Sequence, residues 1–259
     1  MKNEKKRRGE TWVVWLSFVF CFPLTVMAAD WICWGGAPGR NMVNTSEKNI
    51  VTDWDVTSGR NVKWVAELGS QSYGNPVISD GKVFVGTNNE GFRDPSIKGD
   101  KGNILCFRES DGKLLWQALH DKLTAGRVND WPLQGICSTV YVEEDRLFYV
   151  NNRCELVCAD TEGFLDGKND GFQDEQYKGD EKADIVWSYD MIEELGVFPH
   201  NLATSSPVVV GDLVEGRQQP DDRGLGPGRV VDLRGLDRLS RSDSKEQVGV
   251  VDVGRDRLG

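Results

Sequence analysis

Three groups of residues in this 259-residue chain have the types and spacing to do chemistry. The first is acidic. Asp160-Thr161-Glu162-Gly163, followed by Asp166-Gly167-Lys168-Asn169-Asp170-Gly171, sets carboxylates around glycine turns, and a hard cation such as calcium takes several carboxylate and carbonyl oxygens. Asp160, Glu162, Asp166 and Asp170 are therefore candidate calcium ligands, against the plainer reading of an acidic surface loop. EF-hand spacing is not met, because Lys168 stands third from Asp166 and Tyr177 twelfth.

The second group is polar around an aromatic residue: Arg127, Asn129, Asp130, Trp131 and Gln134, with His200 and Asn201 further along. Such a set suits a small polar ligand or a protein partner, and its plainer reading is a solvated rim. The third group is the cysteines and histidines. Cys33, Cys106, Cys137, Cys154 and Cys158 follow the leader, an odd number that makes no complete disulfide framework. Cys154 and Cys158, on one expected strand, would lie roughly 13 Å apart at its rise per residue, too far for a bridge. No C-x-x-C pair, G-x-S-x-G, H-E-x-x-H, P-loop or dinucleotide fingerprint occurs, and His120 and His200 are the only histidines. Zinc ribbons, redox dithiols, serine triads and histidine-rich metal sites have no support.

A formal net charge of −10 argues against nucleic acid as a partner, since phosphate recognition needs clustered Lys and Arg. Residues 1–29 read as an export signal. A basic start (Lys2, Lys5, Lys6, Arg7, Arg8) precedes an apolar stretch from Trp12 to Phe22 and small residues at Ala28-Ala29. The expected location is the periplasm or cell envelope. Membrane contact is expected only if that signal stays uncleaved.

The elements that must position these groups repeat. Asn75 to Val85 is a strand, a turn at Asp80-Gly81 and a second strand; Thr139 to Tyr149 repeats the shape, and Ser206 to Val214 starts it again. Asp-Gly and Gly-Asp are hairpin turn residues. Each hairpin precedes another: Asn103–Phe107 with Lys113–Gln117 and Trp116, then Glu155–Asp160 with Asp184–Tyr189 and Trp187. Asn61 to Leu68, with Trp64, reads as the last strand of an earlier unit. Cys106 and Cys158 share a repeat position, which marks them as small core residues. Tandem units of four short strands with one aromatic each make propeller blades.

Leu105-Cys106-Phe107-Arg108-Glu109-Ser110-Asp111-Gly112-Lys113-Leu114-Leu115-Trp116 resembles the pyrroloquinoline-quinone (PQQ) repeat, whose pattern is A-L-D-x-x-T-G-x-x-x-W. Gly112 and Trp116 match; Cys106, Arg108 and Asp111 depart. In the second unit Asp160 and Gly163 match, and an insertion displaces Trp187. Trp31 to Arg40 is similar to the opening segment of exported PQQ-like propellers. The resemblance implies an all-β chain: a partial PQQ-like β-propeller of four-stranded antiparallel blades over residues 30–214, about two complete blades plus fragments. Residues 215–259 contain no Trp, Phe, Tyr or Cys, and their Arg and Lys number 8 and 1 against 9 and 13 before. They read as a disordered or out-of-frame tail outside the repeat.

In an up-and-down blade the loop between strands two and three shares one face, the mouth, with the connection between blades. The segments 87–101, 118–134 and 190–205 therefore belong together there, and the insertion 163–183 is expected on the opposite face. Two functions follow. One is a non-catalytic binding or scaffold module of the cell envelope, with an envelope protein or small polar ligand as partner and no cofactor. The other is the N-terminal fragment of a PQQ-dependent alcohol or sugar dehydrogenase, for which the resemblance implies PQQ with calcium at the mouth.

Overall fold

The computed structural model describes residues 29–91, 93–211, 213–216, 229–232 and 250–251. The export signal lies outside the described residues. Strands β1 (Val77–Ser79), β2 (Lys82–Asn88), β3 (Lys101–Arg108) and β4 (Leu114–Asp121) form one antiparallel sheet in the order β1-β2-β3-β4. Strands β5 (Tyr141–Glu143), β6 (Arg146–Val150), β7 (Glu155–Asp160) and β8 (Ile185–Asp190) repeat it as β5-β6-β7-β8. A third sheet holds β9 (Val208–Val210), β10 (Leu213–Gly216), β11 (Arg229–Asp232) and β12 (Val250–Val251), again in sequence order. The end of β10 and all of β11 and β12 come from the segment 215–259, on which the expectation of a tail falls; residues 217–228, 233–249 and 252–259 are outside the described residues. The fold is all-β, a partial propeller of four-stranded antiparallel blades.

The repeat holds at the level of single contacts. Phe84 faces Cys106 and Cys106 faces Trp116 in the first sheet; Phe148 faces Cys158 and Cys158 faces Trp187 in the second. Each sheet slips register directly after the cysteine, between Cys106 and Phe107 and between Cys158 and Ala159. Both cysteines are buried core residues outside any disulfide. The Asp80-Gly81 turn has φ of +46° and +69°, the two positive values that match the twist of a tight hairpin.

The core lies between the sheets. Phe84, Ile104, Cys106 and Trp116 of the first pack on Val140, Leu147, Tyr149 and Val157 of the second. The second sheet's other face, with Phe148, Leu156 and Trp187, packs on Val209 and Val214 of the third. The tryptophans interlock the repeats. Trp64 Nε1 donates to Glu109 O at 2.7 Å, and Trp116 Nε1 donates to Thr161 O at 3.0 Å, both 45 residues on. A glycine receives each ring: a Cβ on Gly112 would stand 2.6 Å from Trp64, and one on Gly163 would stand 2.9 Å from Trp116. The G-x-x-x-W spacing thus has a packing cause: each unit offers a glycine seat to the previous tryptophan and a tryptophan to the next seat.

Three expectations need correction. Residues 61–68 form no strand; they are fixed by Trp64 against Phe107 rather than by a hydrogen-bonded ladder. Cys154 is not on a strand but in the turn before β7, with φ of +65°. The insertion does not stay on the face opposite the mouth. It opens there with a 3-10 turn over Gly163–Asp166 and then climbs the outer edge of β4, where Gln117 N donates to Glu181 O and Ala183 N to Gln117 O, both at 3.0 Å. Lys182 reaches Asp94 at 2.8 Å, and Tyr177 reaches Asp121 at 3.2 Å. An open edge strand is a liability, and the insertion covers this one.

Inner edges are covered too. Trp31 exchanges two main-chain bonds with Ile78 of β1, Val142 N donates to Ile32 O, and Arg40 donates to Ser206 O and Pro207 O at 2.7 and 2.6 Å. Residues 30–40 therefore cross all three inner edges. The five cysteines among the described residues, Cys33 included, are buried and form no disulfide.

Candidate functional site

The mouth is built by the connections after β4 and β8. Asp121 ends β4, and residues 122–140 lead to β5; after β8 a short helix α1 (Met191–Leu195) begins residues 191–207. Asp190 caps that helix, accepting from Ile192 N and Glu193 N, and Gly196 ends it with φ of +61°. Side-chain capping at Asp190 satisfies amides the helix cannot. The two connections then grip each other. Asn201 N donates to Val128 O at 2.6 Å, Trp131 N donates to Asn201 O at 3.0 Å, and Asn129 Nδ2 donates to Pro199 O at 2.8 Å.

The sequence-derived mouth residues divide into two sets. Asn129, Asp130, Gln134 and Asn201 are spent on structure. Asp130, 5% exposed, accepts from Leu123 N and Asn152 Nδ2 at 2.8 and 3.1 Å and pairs with Lys122. Gln134 Nε2 donates to Gln71 Oε1 at 2.6 Å. Arg127, Trp131 and His200 point the other way, into solvent. Trp131 is 43% exposed, with Val128 at 60%, Leu133 at 36% and Phe198 at 53%. The result is a ledge with a fixed backbone and an apolar outer surface. Composition-based reasoning found Trp131 and missed Phe198, Val128 and Leu133, because nothing local distinguishes an exposed hydrophobe from a core one.

A second constellation has no local signal at all. His120, half-buried near the mouth end of β4, has Nε2 2.8 Å from Tyr149 Oη and Nδ1 3.1 Å from Asn151 Nδ2. Asn151 Oδ1 accepts from Arg153 N and Glu155 N at 2.9 and 3.0 Å. That orients the amide, so its nitrogen faces the imidazole and Nδ1 must be the acceptor. The network assigns the proton to Nε2, which donates to Tyr149. Burial pushes the His120 pKa down to about 4; the nearby Arg153 charge lowers it further while Glu155 and Asp121 oppose. A neutral imidazole that orders a mouth turn is a structural use of the group.

The four carboxylates of the acidic pattern do not converge. Arg146 draws Asp160 to 2.6 Å and Asp170 to 3.4 Å, Lys82 pairs with Glu162 at 2.6 Å, and Lys168 pairs with Asp166 at 2.8 Å. Three cations thus take up the four carboxylates, Arg146 serving both Asp160 and Asp170, so together they offer no shared cage. Among the described residues no group of three or more His, Cys, Asp and Glu side chains is arranged to hold a metal ion. A cavity of about 570 Å³ lies on the opposite face and is acidic, with Asp30, Asp80, Glu143, Glu144, Asp145 and Glu162 in its wall. The repeat motif residues Gly112, Trp116, Gly163 and Trp187 are packing residues, all away from the mouth ledge.

No protein-family model and no curated protein matches the chain. Solved structures do. A quinohemoprotein alcohol dehydrogenase from Comamonas testosteroni is similar at 13% identity and a TM-score of 0.41, over 79% of this chain and 25% of that one. A europium-containing methanol dehydrogenase is similar at 14% identity and a TM-score of 0.44, over 79% and 30%. A quinohemoprotein alcohol dehydrogenase from Pseudomonas putida HK5 gives 13% and 0.40, over 79% and 25%. The chain thus spans about a quarter to a third of the length of these proteins. Nothing about ligand, metal or reaction follows from likeness at this level.

A quinone held with calcium needs carboxylate and carbonyl oxygens available at the mouth. Here Asp100 accepts from Leu133 N at 2.6 Å, Asp121 holds Lys101 at 2.6 Å and Asp130 is engaged as above, and among the described residues no three His, Cys, Asp or Glu side chains are grouped to hold a metal ion. The described residues do not fit that group.

Proposed function

We propose that the chain is a non-catalytic binding module of the cell envelope, engaging a protein partner through the mouth ledge. One observation carries this reading. The loops 126–134 and 198–203 lock to each other through main-chain and amide hydrogen bonds and still leave Val128, Trp131, Leu133 and Phe198 outward. An ordered apolar patch in water is the mark of an interaction surface, and a rigid aromatic anchor loses little entropy on binding. Arg127 and His200 add a polar rim beside the aromatics, as at other interfaces.

The test is a comparison of the wild-type chain with the W131A/F198A double variant, using envelope extract over the immobilised protein. Loss of one captured partner with unchanged circular dichroism and melting supports the ledge. Equal capture by both proteins sinks it. The quinoprotein reading is checked alongside by adding PQQ with calcium and following quinone absorbance and dye reduction; saturable binding with turnover replaces the binding-module reading.

A further inference from the structure

The insertion that straps the outer edge of β4, with the residue that follows it, carries two buried carboxylates whose oxygens are incompletely hydrogen-bonded. Asp184 is 1% exposed. Its Oδ2 accepts from Asp170 N at 2.8 Å, while Oδ1 has no hydrogen-bond partner. The Glu175 side chain is 4% exposed, and neither of its oxygens has a hydrogen-bond partner. The positive group beside it is Lys178 Nζ, 3.1 Å from Oε2 on a side chain 42% exposed. Burial first, then the charges of Glu175, Asp160 and Asp170, push the Asp184 carboxyl up to about 6. A buried carboxylate is costly unless a cation compensates it.

Oxygens gather in the same turn. Gln173 Nε2 lies 2.8 Å from Gly171 O, 3.0 Å from Asn169 Oδ1 and 3.3 Å from Asn169 O. Lys178 Nζ also touches Gln173 O. An amide and an ammonium therefore sit among main-chain, amide and carboxylate oxygens.

We propose that Glu175 and Asp184 are ligands of a calcium ion that fastens the insertion, with oxygens of the 169–173 turn completing its shell. Calcium takes six to eight oxygens and accepts carbonyls, amides and water beside carboxylates. The pair differs from the four residues the sequence pattern suggests, because Arg146, Lys82 and Lys168 neutralise those. With two carboxylates the site belongs to the weak class, at a Kd of about 10⁻⁴–10⁻³ M. Its place gives it a role. Gln176 and Tyr177, next to Glu175, reach Asp121 at the mouth end of β4, and Lys182, near Asp184, reaches Asp94. The ion sits between the two anchors of the strap and closes it onto the blade.

The experiment titrates the full chain, stripped of metal with chelator, with calcium chloride up to about 10 mM, tenfold above the weak end of that range. Calorimetry and thermal melting are read together, with magnesium chloride as control. One saturable calcium event is expected, with a rise in Tm of about 3 °C at tenfold excess over Kd and no comparable response to magnesium. E175Q and D184N should lose the calcium response while their calcium-free Tm stays level or rises, since each relieves carboxylate repulsion and keeps the side-chain shape. K178A, which removes a competing ammonium from an exposed position, should tighten calcium binding. The proposal is overturned by a wild-type chain blind to calcium, by an undiminished response in E175Q and D184N, or by weaker calcium binding in K178A.

Discussion

Replacing His120 by glutamine should remove a pH-dependent loss of stability that the wild-type chain carries. The imidazole accepts from Asn151 at Nδ1 and donates to Tyr149 at Nε2, so a second proton would set an N–H against an amide N–H₂. Glu155, Arg153 and Asp121 are the charges that face it. Its pKa lies at about 4 against an ordinary 6.5. Above pH 6.5 neither folded nor unfolded chain binds the proton. Between 6.5 and 4 the unfolded chain takes it up and the folded chain does not, so stability falls as pH falls through that window and levels off below it. The linkage amounts to about 2 kcal/mol between pH 7.5 and pH 5 and about 3 kcal/mol in full. Urea unfolding at both pH values, on wild type and H120Q, isolates it from the carboxylates because they titrate in both proteins. The wild-type advantage over H120Q should shrink by about 2 kcal/mol at pH 5. A difference that stays flat with pH would refute the neutral, half-buried imidazole.

The tryptophan interlock predicts that W116F costs about 1–3 kcal/mol in a urea unfolding experiment, since a buried Thr161 carbonyl loses its donor. W64F, which breaks the equivalent bond to Glu109, should cost less because its surroundings are wetter; an equal or larger cost contradicts the packing described. G163A adds a Cβ 2.7 Å from Lys182 O at a φ of +58°, and should lower Tm by more than the same change at the unobstructed Gly167. R146M leaves Asp160, whose side chain is 6% exposed, without its cation. It should destabilise the fold by about 3–5 kcal/mol, and chemical denaturation showing less than about 1 kcal/mol would mean that the pair does not hold the insertion.

The legible parts of this fold were the ones written in short segments. Asp80-Gly81 forces a tight turn, and the Phe84–Cys106–Trp116 row reappears as Phe148–Cys158–Trp187, so blades could be read from alternation and turns. Residues 61–68 misled because Trp64 suits a strand, yet it is held by a partner 45 residues away. Helix α1 spans five residues, too short for a hydrophobic period to show. His120 gained its partners from Tyr149 and Asn151, 29 and 31 residues on, which no spacing rule connects. The acidic pattern at 160–171 was visible, but Arg146 and Lys82, which neutralise parts of it, lie outside the motif. At the mouth, residue type found Trp131, and only the folded chain showed that Asn129, Asp130 and Gln134 support the ledge rather than line it.

The ledge itself can be tested by photo-crosslinking. A benzophenone amino acid placed at position 131 should capture a single envelope protein on illumination. The same probe at Leu165, 47% exposed on the opposite face, should capture none. Adducts of equal yield at both positions, or none at position 131, would contradict a partner-binding mouth.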